Sequence, residues 1–191
     1  MKDIKEIWKK MNKIKVVAIC GKTCSGKDTL KETLLKNTDK FHRVVGYTTR
    51  PPRENEEDGV TYNFISDKDF HALDLIEKAY FNNWWYGTAL NSFDKDKINL
   101  IILNPAGLDT FLDFPFLDLY IVFLVADDDI RFLRYYEREN YKVEDSFNRR
   151  NEADKKDFLN FQENYPVNLI INSNEEYDIN VIQTLIMDNF N

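Results

Sequence analysis

The chain has 191 residues, 43% hydrophobic and 31% charged, and its 26 Lys plus Arg against 33 Asp plus Glu leave a net charge of −7. That balance suits a soluble globular protein with one sizeable core, and no apolar run approaches the ~20 residues that a membrane-spanning helix needs. It also excludes an intrinsically disordered chain, and the acidic excess argues against a nucleic-acid binder, though local basic patches can still hold small anions.

Residues 1–12 place Ile4, Ile7, Trp8 and Met11 at helical spacing among lysines. This amphipathic helix is expected to pack on its own domain or on a neighbouring subunit, which admits a homodimer, and not on a membrane. The segment lacks the apolar centre of a secretory signal, and Cys20 and Cys24 have no nearby soft ligands, so a cytoplasmic chain with reduced thiols is expected. Buried strands are expected at 16–19, 100–103, 120–125 and 168–171. Helices are expected at 27–37, 128–139, 144–163 and 178–190. Apolar strands alternating with helices predict an α/β fold, with a parallel sheet covered on both faces. Residues 43–93 break the rhythm and read as an inserted mixed subdomain, leaving a core of 13–42 and 94–191.

Gly21-Lys22-Thr23-Cys24-Ser25-Gly26-Lys27 links the first strand to the first helix. This is the G-x-x-x-x-G-K frame of a phosphate-binding loop in its proper strand–helix context. The glycines let consecutive N–H groups converge on one point, the helix N-terminus adds its dipole, and Lys27 brings a charge to the β- and γ-phosphates. Asp28 stands where most such loops carry a hydroxyl, and Thr29 follows it. Asp127, Asp128 and Asp129 are expected to start a helix, the place where Asp is favoured.

A second anion site is legible downstream. Arg50 and Arg53, stiffened by Pro51 and Pro52, form a forked cationic clamp suited to phosphate, and Tyr62 and Tyr86 can add hydroxyl donors. The whole string from Thr48 to Phe64, T-T-R-P-P-R-x-x-E-x-x-G-x-x-Y-x-F, resembles the monophosphate-binding segment of guanylate kinases. The resemblance continues in order through residues 75–79 and Tyr86-Gly87-Thr88. Residues 144–150 and 170–173 extend it, so it covers the chain from residue 14 onward.

That resemblance implies a P-loop core with a monophosphate-binding subdomain and a helical lid at about 139–150. It implies ATP-dependent phosphorylation of GMP or dGMP, with Mg²⁺ carried on the ATP and no protein metal ligand assigned. Gly21, Cys24, Ser25, Gly26, Lys27, Asp28 and Thr29 would hold the ATP phosphates, with Asn172 and Ser173 on the adenine side. Arg50, Arg53, Tyr62 and Tyr86 would hold the acceptor phosphate. Glu77 would read guanine, whose N1–H and N2 amino group both donate to a carboxylate, with Gly46, Thr48, Thr88 and Asn104 around the base. Taken alone, Glu77 reads as a solvated residue on a short helix. Arg134, Arg138 and Arg150 would join Lys27 and Arg53 at the transfer site. Two positions depart from the family pattern: Gly46 replaces a serine, and Asn104 replaces an aspartate. They keep open another monophosphate or a sugar phosphate as acceptor. A catalytically inactive protein-binding module is the remaining alternative, against which Gly21, Gly26 and Lys27 stand.

Overall fold

The computed structural model describes residues 13–53, 56–81, 83–138 and 146–191, so the expected N-terminal helix and the lid stretch 139–145 lie outside the described residues. The central strand β1 (Ile14–Gly21) carries Val16 to Cys20 with no exposed surface. Its flanks are β7 (Ile98–Ile102) and β8 (Leu117–Val125), both parallel to it. Edge strands β2 (Phe41–Arg43) and β9 (Leu169–Asn172) complete a five-stranded parallel sheet ordered β2-β7-β1-β8-β9. Strands covered on both faces become continuous apolar runs, which is why β1, β7 and β8 were visible in the sequence, whereas the edge strand β2, Phe-His-Arg, was not anticipated.

Side chains alternate across a strand, and β1 divides accordingly. Val16, Ala18 and Cys20 join one cluster with Leu108, Phe111, Phe123 and Phe161. Val17 and Ile19 join the other with Leu30, Leu34, Ile182 and Ile186. The second face is covered by α1 (Lys27–Leu34) and α7 (Ile179–Asn189).

Short elements between β2 and β7 build a second sheet. It comprises β3 (Tyr47–Thr48), β4 (Asn63–Phe64), β5 (Leu75–Phe81) and β6 (Trp84–Ala89), ordered β4-β3-β6-β5, with the short helix α2 (Asp67–Phe70) beside it. Val44, Ile76 and Phe93 seat this unit on the first core cluster.

Three helical expectations change. Helix α1 stops at Leu34, because Lys36 and Asn37 donate to carbonyls only three residues back and close the turn. The helix expected over 144–163 is divided into α5 (Ser146–Asp157) and α6 (Phe161–Asn164). Asn160 between them is left-handed (φ 53°), a conformation Asn tolerates better than most residues. A helix not anticipated, α3 (Pro105–Leu112), follows β7: Asn104 caps it by accepting from the Gly107 N–H at 2.8 Å, and Pro105 opens it. As expected, Asp128 begins the helix α4 (Asp128–Arg138). The loops after β1, β8 and β9 therefore gather at the carboxyl edge of the sheet, where open α/β sheets bind ligands.

Candidate active site

Geometry at the phosphate loop leaves no room for side chains at its start. Gly21 has φ 152°, and a Cβ there would stand 2.6 Å from the Leu124 carbonyl oxygen on β8. Gly21→Ala should therefore push the loop off the sheet. Overpacking of this kind costs about 1–3 kcal/mol, a fall in Tm of at least about 2–4 °C by thermal circular dichroism. Gly26 (φ 92°) is the N-cap of α1 and offers no side-chain cap, so the first-turn N–H groups keep their capacity for an anion. Lys27 Nζ donates to the carbonyls of Gly21 and Lys22, each at 2.7 Å. Burial pushes its pKa down, against the pull of Asp154 and Asp28.

Beside the loop lies a cavity of about 770 Å³, within the ~300–1,000 Å³ range of small-molecule sites. Cys24, Gly26, Lys27, Asp28 and Thr29 form one wall, and Arg134, Arg138 and Ser173 another. Arg134 donates to the Ser173 hydroxyl at 3.2 Å, to the Cys24 carbonyl at 3.4 Å and to the Ser173 carbonyl. The Ser173 hydroxyl donates to the Ser25 carbonyl at 2.8 Å. Ser173 is thus a brace between β9 and the loop. Its hydroxyl is committed to this brace, and the residue still lines the cavity. Asn172 is exposed, and its Oδ1 accepts from the Asn174 N–H at 3.0 Å. The rest of the cavity wall includes Asn174, Glu175, Glu176, Tyr177 and Thr33. The sequence signal for Asn174 to Tyr177 was their position directly after a buried strand. Burial raises the Tyr177 phenol, with Arg134 opposing.

Arg138 reaches the same cavity and packs over the Tyr135 ring at 5.5 Å. Arg150, by contrast, is exposed on α5 and is not among the cavity-lining residues. Unanticipated was Arg131, which is fully buried and bonded to Asp128, Asn151, Asp154 and the Thr23 carbonyl. Hydrogen bonding to Arg131 holds the Asp128 carboxyl below its ordinary range.

The second anion site is preorganised by a carboxylate. Arg50 is 9% exposed and donates to Glu56 Oε1 and to the Pro51 carbonyl, each at 2.8 Å. The other Glu56 oxygen accepts from the Arg53 N–H at 2.8 Å, leaving the Arg53 side chain exposed. That backbone bond, with Arg50 assisting, keeps the Glu56 carboxyl low. Tyr62 meets Tyr86 edge to face, ring centroids 5.9 Å apart.

Glu77 lies on strand β5, not on a helix, and is half-buried opposite Thr88 of β6. Its Oε1 accepts from the Thr88 hydroxyl at 2.9 Å, and burial raises its pKa. Two expected base contacts are spent elsewhere. Thr48 is fully buried, donating to the Trp85 carbonyl at 2.8 Å and accepting from the Arg50 N–H at 3.2 Å, so it positions Arg50. Asn104 uses its acceptor oxygen as the α3 cap. At Gly46 a Cβ would meet the Gly87 carbonyl at 3.2 Å and the Tyr62 ring at 3.6 Å, so the glycine lets strand and ring approach.

Comparison with known proteins completes the picture. The family model described as guanylate kinase matches residues 13–186. The guanylate kinase of Lawsonia intracellularis is 42% identical over 78 residues, 39% of this chain and 37% of that protein. That of Helicobacter hepaticus is 34% identical over 105 residues, covering 51% and 52%. That of Schizosaccharomyces pombe is 39% identical over 83 residues, covering 41% of each. The chain thus spans about half or less of the length of the curated relatives it matches. A crystal structure of guanylate kinase from Anaplasma phagocytophilum superposes with a TM-score of 0.57 at 17% identity, over 94% of this chain and 86% of that one, and shows a shared fold. With a family match spanning nearly all the described residues, the chain belongs to the guanylate kinase family.

Proposed function

We propose that the protein transfers the γ-phosphoryl group of ATP to GMP or dGMP, giving ADP and the nucleoside diphosphate. The observation that carries this reading is the half-buried Glu77 carboxylate, held by Thr88 in the same small sheet whose strand β3 leads into the Arg50 clamp. A carboxylate has more lone pairs than Thr88 takes, and guanine presents two donors on one edge to use them. Adenine lacks that donor pair and would leave the buried acid poorly matched.

The remaining roles follow from charge and placement. Loop N–H groups and Lys27 hold the ATP phosphates, with Asp28 and Thr29 at the same wall. Arg50, Arg53, Tyr62 and Tyr86 hold the acceptor phosphate. Arg134 and Arg138 face the phosphate loop and stabilise charge during transfer, a reaction governed by positioning and electrostatics. Arg150 joins them when the lid, residues 139–150, closes over both substrates and excludes water. The subdomain 43–93 moves as the acceptor-binding unit, and a homodimer is one arrangement of the chain. Asp28 and Thr29 supply oxygen donors to the cavity, a donor set that suits Mg²⁺, which keeps much of its water. Bound with ATP, the ion supplies charge neutralisation at the phosphates. No helix among the described residues is long and apolar enough to cross a membrane. A cytoplasmic setting, with nucleotides and neither nucleic acid nor membrane as partners, accords with the composition.

The test is ADP release from ATP and Mg²⁺ with GMP, dGMP, AMP, CMP or UMP supplied singly. The guanine nucleotides should exceed AMP in kcat/KM by at least about 10²-fold. Equal use of AMP, or turnover with none of the five, would refute the assignment.

A further inference from the structure

We infer that Arg131 and Asp154 are positioning residues that set the shape of the phosphate loop from helices α4 and α5. The inference rests on the ATP-binding reading above. Among the described residues Arg131 is the largest side chain with no exposed surface, a costly place for a guanidinium unless its donors are matched. One terminal nitrogen reaches the Thr23 carbonyl at 3.0 Å and Asp154 Oδ2 at 3.5 Å. The other reaches Asp128 Oδ1 at 2.6 Å and Asn151 Oδ1, while Nε lacks a partner and the group lies 5.9 Å from the Phe147 ring centroid. Asp154 Oδ2 also accepts from the Thr23 N–H at 2.7 Å.

Both backbone polar groups of one loop residue are therefore held by side chains from α4 and α5. These lie 108 and 131 positions along the chain. The consequence is directional. In a trans peptide the C=O and the next N–H point opposite ways, so Arg131's grip on the Thr23 oxygen turns the Cys24 N–H away from Arg131. Cys24 is itself left-handed (φ 60°) and lines the cavity. Without the grip this peptide is free to rotate, and a misaimed N–H is lost to phosphate binding.

The experiment measures ADP and GMP affinity of the full chain by titration calorimetry, with thermal melts, for wild type, Arg131→Met and Asp154→Asn. Methionine keeps much of the apolar volume, and asparagine keeps the shape of Asp154. The expected result is ADP affinity weakened by about 10- to 100-fold in the folded variants, with GMP affinity within about twofold. Wild-type binding of ADP with unchanged ADP affinity in both variants would overturn the clamp alone. Equal losses for ADP and GMP, or failure of both variants to fold, would make these residues packing elements and overturn it too. Wild type that binds no ADP would overturn the functional reading and the clamp with it.

Discussion

Lys27→Met is expected to lower kcat by about 10²–10³-fold while leaving the protein folded. The ammonium now bridges the Gly21 and Lys22 carbonyls at 2.7 Å each, at the mouth of the cavity. An arriving phosphate chain finds that charge already aimed, and methionine removes it while keeping most of the stem. The stability side has the opposite sign. Burial lowers the folded pKa of Lys27 from 10.5, so the unfolded chain binds more protons in the window between the lowered value and 10.5. Stability therefore rises with pH through that window, and the cost of the buried charge is fully present at pH values below it. The variant should melt no lower than wild type at neutral pH, its advantage shrinking as pH approaches 10.5. Steady-state ADP release and melts at two pH values check both halves. Near-wild-type turnover would remove Lys27 from the site.

The phosphate loop was legible because all its determinants are local. Two glycines, a lysine and the flanking strand and helix lie in one short stretch, and nothing distant is needed to see them. The inner strands of the central sheet were legible for a related reason, since burial on both faces leaves an apolar run in the sequence. Arg131 was not legible. Arginine on a helix ordinarily faces water, and only the approach of Asn151 and Asp154 from α5 makes this one a core residue. Thr48 and Asn104 misled in the other direction. Each has the chemistry of a ligand, yet each spends it on its own backbone neighbourhood, at Trp85 and at the α3 cap. Hydroxyl and amide groups serve such local bonds as readily as substrates, and only coordinates tell which. The cavity wall at Asn174 to Tyr177 was missed because its residues share no motif, only a place beyond the end of β9.

Glu77→Gln should reduce kcat/KM for GMP by about 10²-fold or more, shrinking the preference for GMP over AMP while leaving ADP affinity intact. Glutamine keeps the length and can still accept from Thr88, but its amide nitrogen would meet guanine's donors with a donor of its own. The same substitution has a pH signature in the ligand-free protein. Burial raises the Glu77 pKa above 4.5, with Thr88 opposing, so between 4.5 and the raised value the folded state binds more protons than the unfolded one. The carboxyl's contribution is therefore most favourable below 4.5 and is lost as pH rises through the folded pKa. Glu77→Gln has no such titration, so its melting temperature relative to wild type should improve from pH 4 to pH 7. Guanine requires the ionised acid, so wild-type affinity for GMP should weaken on acidification through the same window while the variant's stays flat. A variant that keeps its preference for GMP would show that the base is read elsewhere, and a relative melting temperature that does not move with pH would show that the Glu77 carboxyl is not raised by its burial. A half-buried carboxylate that already accepts from Thr88 keeps lone pairs for a ligand with two donors on one edge, the pattern that guanine presents.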